Sequence, residues 1–309
     1  MFELIRNSHN LRPVHHNCVL TIGNFDGVHC GHQAVLAGLR AKSQEIGVPA
    51  LVMTFEPLPR EVFGSDTAPA RISSLREKVQ LLKEQSVDRV LVVRFSAKFA
   101  GQSPENFIQR WLVDRLGVKH LVVGDDFRFG HKASGDYSLL CEAGKKHGFS
   151  VEPTHTYLSG DSRVSSTRIR EHLAAADFKA AAELLGRPFS WSGRVVRGDQ
   201  LGRTLGFPTA NLKPGRKVLP VKGVFAVTVR ELGQPDRQGV CNVGHRPSVD
   251  GFRPRVEVNV FDVQRDYYGK HLELVFHTRL REEKKFDGLE SLKAAIAQDV
   301  KTARSYFSQ

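Results

Sequence analysis

Residues 23–33 read Gly23-Asn24-Phe25-Asp26-Gly27-Val28-His29-Cys30-Gly31-His32-Gln33. Before them Val19-Leu20-Thr21-Ile22 is a short apolar run, and after them helical spacing runs from Gln33 to about Ile46. The glycine-rich stretch therefore lies where a buried strand gives way to a helix. Such a junction offers backbone N–H groups the helix cannot use and the positive end of its dipole. Glycines let that backbone approach a phosphate closely. His29 and His32 are three apart at the helix start, so both can point one way and hold nucleotide phosphates as charge builds on them. Taken alone, the pair also reads as two surface histidines beside a tight turn. A zinc site there lacks a third ligand at useful spacing.

Outward from this junction, strands and helices alternate. Ala50-Leu51-Val52-Met53-Thr54-Phe55, Arg89-Val90-Leu91-Val92-Val93, His120-Leu121-Val122-Val123 and Phe149-Ser150-Val151 read as further strands. Leu75, Val79 and Leu82 mark a helix between them, and Ser103-Pro104 caps and opens another whose Phe107, Trp111 and Leu112 share a face. Strands alternating with helices predict a parallel sheet covered on both faces. Beyond Leu184-Leu185-Gly186-Arg187-Pro188 the period changes. Val224 to Val229, Val256 to Phe261 and Leu272 to Phe276 alternate with period two between Gly/Pro turns, which predicts a barrel or sandwich. Val256, Val258 and Val260 face one way; Glu257, Asn259 and Phe261 face the other. Leu289, Leu292, Ile296 and Val300 predict a closing helix. The expected domains are therefore residues 1–186 and 187–309.

The chain has 309 residues, 45 Lys/Arg against 33 Asp/Glu and a net charge of +12. Hydrophobic residues are 40% and charged residues 25%, which excludes disordered, collagenous and disulfide-miniprotein classes. The second part holds 22 Lys/Arg against 13 Asp/Glu, a net +9. The excess suits polyanions, from nucleic acid to small phosphorylated ligands. Cys18, Cys30, Cys141 and Cys241 form no C-x-x-C pair and suit a reducing compartment. With no leader-like start and no apolar run of about 20 residues, a cytoplasmic protein is expected.

Three stretches together give more. The H-x-G-H string at 29–32 resembles the signature of the nucleotidyltransferase superfamily. Residues 23–33, Val123-Gly124-Asp125-Asp126-Phe127-Arg128-Phe129-Gly130 and Arg163-Val164-Ser165-Ser166-Thr167-Arg168-Ile169-Arg170 resemble, in order, the N-terminal module of bacterial bifunctional riboflavin kinase/FAD synthetases. Leu205-Gly206-Phe207-Pro208-Thr209-Ala210-Asn211-Leu212 resembles the riboflavin kinase signature, and the resemblance extends from about residue 17 to 304. Asn242 to Pro247, Tyr268-Gly269, Arg279, Lys285-Phe286 and Asp299 are similar too. Departures are Leu58, Arg197 and Asn259, where relatives often have His, and Phe225, where Tyr is common. Separately, each element has an ordinary reading: a Ser cap, a turn Asp, a solvated basic face, or a strand Glu in a cross-strand pair.

The resemblance implies an α/β nucleotidyltransferase-like (Rossmann-like) domain followed by a mostly β riboflavin-kinase barrel with a C-terminal helix. It implies an enzyme that phosphorylates riboflavin to FMN with ATP and then adenylylates FMN to FAD, releasing pyrophosphate. His29 and His32 would contact ATP phosphates. Gly23, Asn24, Phe25, Arg163, Ser166 and Thr167 would complete that binding site, with Asp126 organising metal and substrate. Gly198, Thr209 and Asn211 would hold Mg²⁺-ATP, with Thr209 as a metal ligand and Glu257 as general base on the ribityl 5′-hydroxyl. Expected partners are riboflavin, FMN and ATP, with no nucleic acid or membrane; homo-oligomerisation stays open. The alternatives are another H-x-G-H transferase, a non-catalytic flavin-binding module, and a nucleic-acid-binding protein, for which Tyr267-Tyr268 beside Arg265 and Lys270 is the only hint.

Overall fold

The computed structural model describes residues 2–64, 68–154, 157–159, 162–198, 201–216, 218–248, 251–263 and 265–308; the side chains of 159, 201, 203, 245–248 and 251–253 lie outside the description. The chain separates into two compact units. One holds residues 1–69 and 75–164; the other holds 70–74 and 165–309. The helices Ser166–Ala175 and Phe178–Leu185 thus group with the second unit, where Phe178 packs against Phe189, Phe225 and Phe276.

The first unit is built on a parallel sheet of β1 (Glu3–Arg6), β2 (Cys18–Ile22), β3 (Ala50–Glu56), β4 (Arg89–Arg94), β5 (Val118–Val123) and β6 (Ser150–Pro153), in the order β1-β4-β3-β2-β5-β6. The near-continuous apolar runs of the central strands, with successive side chains on opposite sides, supply both faces. Leu20, Leu51, Met53, Leu91 and Leu121 fill one core, while Val19, Val52, Val90 and Val122 fill the other. The helices Cys30–Ile46, Leu75–Glu84 and Tyr137–His147 alternate with the strands. Between β4 and β5, Ser103 caps the helix Pro104–Phe107, its hydroxyl accepting from the Asn106 N–H at 3.2 Å. The chain leaves β2 toward β3 on one side, and β5 lies on the other. The order therefore reverses between β2 and β5, and the crevice beyond their carboxyl ends is where ligands bind in open α/β sheets. Residues 23–33 follow β2 and 124–130 follow β5, so both motifs border it. A short hairpin, β7 (Leu158–Ser159) and β8 (Ser162–Arg163), follows the sheet.

In the second unit β9 (Ser190–Val196), β10 (Ala210–Leu212), β11 (Gly223–Glu231), β12 (Arg237–Ser248), β13 (Gly251–Val260) and β14 (His271–Arg281) close into a barrel in the order β10-β13-β12-β11-β14-β9. Its interior is filled, not hollow. Leu212, Val256 and Val243 form one inward row, and Ala210, Val258, Cys241 and Phe225 another; all eight positions named with Val260 are buried. The opposite face is covered by the C-terminal helix Leu289–Phe307. Its Ala303 makes a satellite core with Val224, Ala226, Val240 and Phe261 beneath it. Phe261, read as pointing away from the valines, does so and is nonetheless buried, because this helix and the Arg304 guanidinium (4.5 Å from its ring centre) cover it.

Candidate active sites

After β2 the backbone turns through positive φ at Phe25 (48°), Gly27 (86°) and Val28 (41°). A β-branched residue seldom adopts that conformation. Val28 is held in it by full burial beside Phe25 and Leu36. The turn delivers His29 as the N-cap of the Cys30–Ile46 helix. Its Nδ1 accepts from the backbone N–H of His32 at 3.3 Å, which leaves Nε2 to carry the ring proton. The two imidazoles stack at 3.6 Å, and Phe25 packs against His32 at 5.0 Å. Phe25 is thus a buried brace for His32, and Gly23 accommodates it: a Cβ there would lie 3.1 Å from the Phe25 ring. The Asn24 carbonyl accepts from Thr54 Oγ1 at 3.2 Å. His32 Nδ1 is buried with no hydrogen-bond partner among the described residues. Burial first, then its neighbours His29 and Lys78, hold this imidazole well below the usual histidine range. An orphaned ring nitrogen at a helix N-terminus is suited to a phosphate oxygen.

Across the crevice, Asp126 folds back over Gly124, where a Cβ would lie 2.7 Å from its Oδ1. Asp126 Oδ2 stands 3.6 Å from Arg163 Nη1, joining the loop after β5 to β8. Both side chains are exposed, so the pair adds little to stability and is available to ligands. Ser165 is the N-cap of the Ser166–Ala175 helix, accepting from the Arg168 N–H at 3.3 Å. Ser166 and Thr167 form its first turn. They belong to the second compact unit, whereas Gly23, Asn24, Phe25, His29, His32, Asp126 and Arg163 lie in the first.

The barrel carries the other constellation. Asn211 on β10 pairs in register with Glu257 on β13, and Glu257 with Asn242 on β12. Residues directly opposite share a face, so these three polar side chains form a row on the barrel's outer surface. Glu257 is 12% exposed, and its Oε1 lies 2.5 Å from Arg255 Nη2. Gly198 and Gly202 fit closely around the signature loop. A Cβ at 198 would fall 2.4 Å from the Asn211 amide, and one at 202 would fall 3.1 Å from Thr209 Oγ1. Asn259 Nδ2 donates to the Pro208 carbonyl at 2.8 Å and so fixes the approach to Thr209. Thr209, Asn242, Glu257 and Asn259 border an open cavity. One wall is apolar, from Leu205, Phe207, Phe286, Leu292, Ile296 and Val300, and charged residues complete the lining. Such a mixture of apolar wall and few convergent polar groups is typical of a small-molecule site.

Sequence reasoning missed several residues here. Lys78 is buried at 1% exposure and bears on His32; its signal was its place three residues after Leu75 on the apolar face. Arg255, Arg281 and Glu283 border the cavity. Burial pushes the Glu283 carboxyl up from its ordinary value, against the lowering effect of Lys222, Arg255 and Arg281. Of the quoted family segments, the side chains of His245, Arg246 and Pro247 lie outside the described residues.

A family model for FAD synthetase matches residues 11–168, and one for riboflavin kinase matches 185–307. The bifunctional riboflavin kinase/FMN adenylyltransferase of Escherichia coli strain K12 is 51% identical over 306 residues, 99% of this chain and 98% of that protein. The chain belongs to the bifunctional riboflavin kinase/FMN adenylyltransferase family. It is accordingly a transferase of flavin cofactor biosynthesis with both family functions represented. The relatives from Pseudomonas fluorescens (50% over 304 residues, 98% and 97% covered) and Haemophilus influenzae (45% over 306 residues, 99% of each) are similar along their whole length. A crystal structure from Streptococcus pneumoniae described as a macrolide-efflux protein aligns with a TM-score of 0.77 at 28% identity, covering 98% of each chain. Among the described residues of this family member no helix is long and apolar enough to cross a membrane. The first family match spans the histidine loop, Asp126, Arg163, Ser166 and Thr167; the second spans Gly198, Thr209, Asn211 and Glu257.

Proposed function

We propose that residues 187–309 transfer the γ-phosphate of ATP to the 5′-hydroxyl of riboflavin, and that residues 1–186 join the resulting FMN to the AMP moiety of a second ATP. The observation that carries the reading is the row Asn211–Glu257–Asn242, cradled by Gly198 and Gly202 at the edge of a cavity with one apolar wall. The apolar wall suits an isoalloxazine ring, and the polar row suits a ribityl chain and phosphates. Glu257 accepts the hydroxyl proton as the oxygen attacks, while Thr209 and Asn211 orient the triphosphate. Mg²⁺ when bound would be held by the Thr209 hydroxyl together with phosphate oxygens, offsetting charge that develops on them. Magnesium beside phosphates needs few protein ligands, so a lone hydroxyl suffices. Asp126 would serve a metal in the same way in the first unit.

Adenylyl transfer asks less of the protein. The FMN phosphate is already a competent nucleophile. It attacks the α-phosphorus, the bond to the pyrophosphate oxygen breaks, and pyrophosphate departs. The His29 and His32 ring nitrogens and the helix N-terminus stabilise the charge on it. A cytoplasmic location belongs to the same proposal and is supported by four free cysteines, two of them buried.

Glu257→Ala should lower FMN formation by about 10²–10⁴, the usual worth of a general base, and leave FAD formation from supplied FMN intact. Flavins resolved by chromatography check it. Unchanged FMN formation would remove Glu257 from the mechanism.

A further inference from the structure

A buried lysine stands under the histidine loop and has no part in the chemistry above. On the Leu75–Glu84 helix the inward positions are Leu75, Lys78 and Leu82, at i, i+3 and i+7. A leucine at 78 would continue the apolar stripe, yet the position holds an ammonium at 1% exposure. A charge is kept out of water only where the surroundings compensate it, so its retention asks for a use. Its Nζ donates toward Thr54 Oγ1 at 3.5 Å on the central strand β3. That hydroxyl donates its own proton to the Asn24 carbonyl at 3.2 Å, which is the second residue of the loop. A relay thus runs from the helix through the sheet to the loop that presents His29 and His32. The same charge acts on His32 itself, adding to burial and His29 in disfavouring a second proton on that ring. Lys78 is therefore coupled to the histidine loop twice, once by hydrogen bonds and once by its field.

We propose that Lys78 is a positioning residue for adenylyl transfer: it fixes the Gly23–His32 loop through Thr54 and Asn24 and places a positive charge behind the histidines. The inference rests on the adenylyl-transfer reading of that loop. A charge oriented before substrate arrives costs no reorganisation during the reaction, and so favours the transition state more than binding.

The test is steady-state FAD formation from supplied FMN, ATP and Mg²⁺ by the full chain. Wild type must form FAD; if it does not, the reading of the site fails independently of Lys78. Lys78→Met keeps length and helix propensity but removes the charge. Expected is a fall in kcat of about 10²-fold with KM for FMN within about threefold, the pattern of an interaction made in the transition state. Lys78→Arg should recover at least about tenfold of that loss, because it restores the cation. FMN formation from riboflavin should be unaltered in both. A kcat for Lys78→Met within about threefold of wild type overturns the proposal. Equal losses in the Met and Arg variants also overturn it, since Lys78 would then serve packing alone. Should Lys78→Met fail to fold by circular dichroism, Thr54→Val deletes only the relay hydroxyl. It should lower kcat about tenfold with KM unchanged, and a wild-type kcat there overturns the relay.

Discussion

The Asn259 amide has a structural use. It donates to the Pro208 carbonyl and holds the loop ahead of Thr209. Asn259→Ala should raise KM for ATP in the kinase reaction several-fold while FAD formation from FMN is unchanged, with the worth of one hydrogen bond (~1 kcal/mol) setting the scale. His32 makes a different prediction. Its pKa lies below the unfolded value of about 6.5. Between the two values the unfolded chain binds more protons, so stability is complete above pH 6.5 and declines as the pH falls through that window. Removing the imidazole by His32→Gln should therefore reduce the loss of Tm between pH 7 and pH 5, measured by thermal melting; an identical or steeper loss contradicts the burial argument. The histidine pair, Thr209, Asn211 and Glu257 were legible because their residue types and spacing are themselves the motif. Lys78 was not, since a periodicity search counts apolar residues and passes over a lysine on the same face. Arg255 was not, because its partner Glu257 becomes its neighbour only when the strand places both on one side.

The C-terminal helix shows why an amphipathic stripe does not say what it covers. Leu292, Ile296 and Val300 have the spacing of a core-facing stripe, yet they line the cavity, while Ala303 lies fully buried against the barrel. A polar contact adds to that packing: Arg281 on β14 makes a two-pronged pair with Asp299, Nε to Oδ1 at 2.9 Å and Nη2 to Oδ2 at 2.8 Å. Asp299→Ala leaves the half-buried Arg281 guanidinium without its carboxylate and should cost about 3 kcal/mol, seen as a lower Tm, with a raised KM for riboflavin because the cavity wall loosens. A Tm unchanged from wild type contradicts that account of the helix. Among strands, those with continuous Val/Ile/Leu runs were readable at once. β1 was missed because Glu3-Leu4-Ile5-Arg6 is a four-residue edge strand with charged ends. β9 was missed because its inward positions are Trp191, Gly193 and Val195, and the glycine interrupts the pattern; it is there because a Cβ at 193 would strike the Lys213 carbonyl at 2.9 Å.

At the scale of the whole chain, 309 residues give two compact units, each with its own core and its own set of phosphate-suited groups. The +9 on residues 187–309 is then read most simply as a field for anionic nucleotides. The change of period near Arg187 was legible because helix-and-strand alternation and period-two strands are different patterns. The helices from Ser166 to Leu185 were harder to place. Their sequence continues the α/β rhythm, whereas the aromatic contacts of Phe178 tie them to the barrel. If each activity has its own residues, damage to one should leave the other intact, and FMN made by one molecule should feed another. The most direct measurement incubates riboflavin, ATP and Mg²⁺ with the Glu257→Ala chain, with the His29→Ala/His32→Ala chain, and with both mixed, and resolves the flavins by chromatography. Expected are little flavin product from the first, FMN without FAD from the second, and FAD from the mixture. FAD from riboflavin in either variant alone, or none from the mixture, would contradict two separate sites.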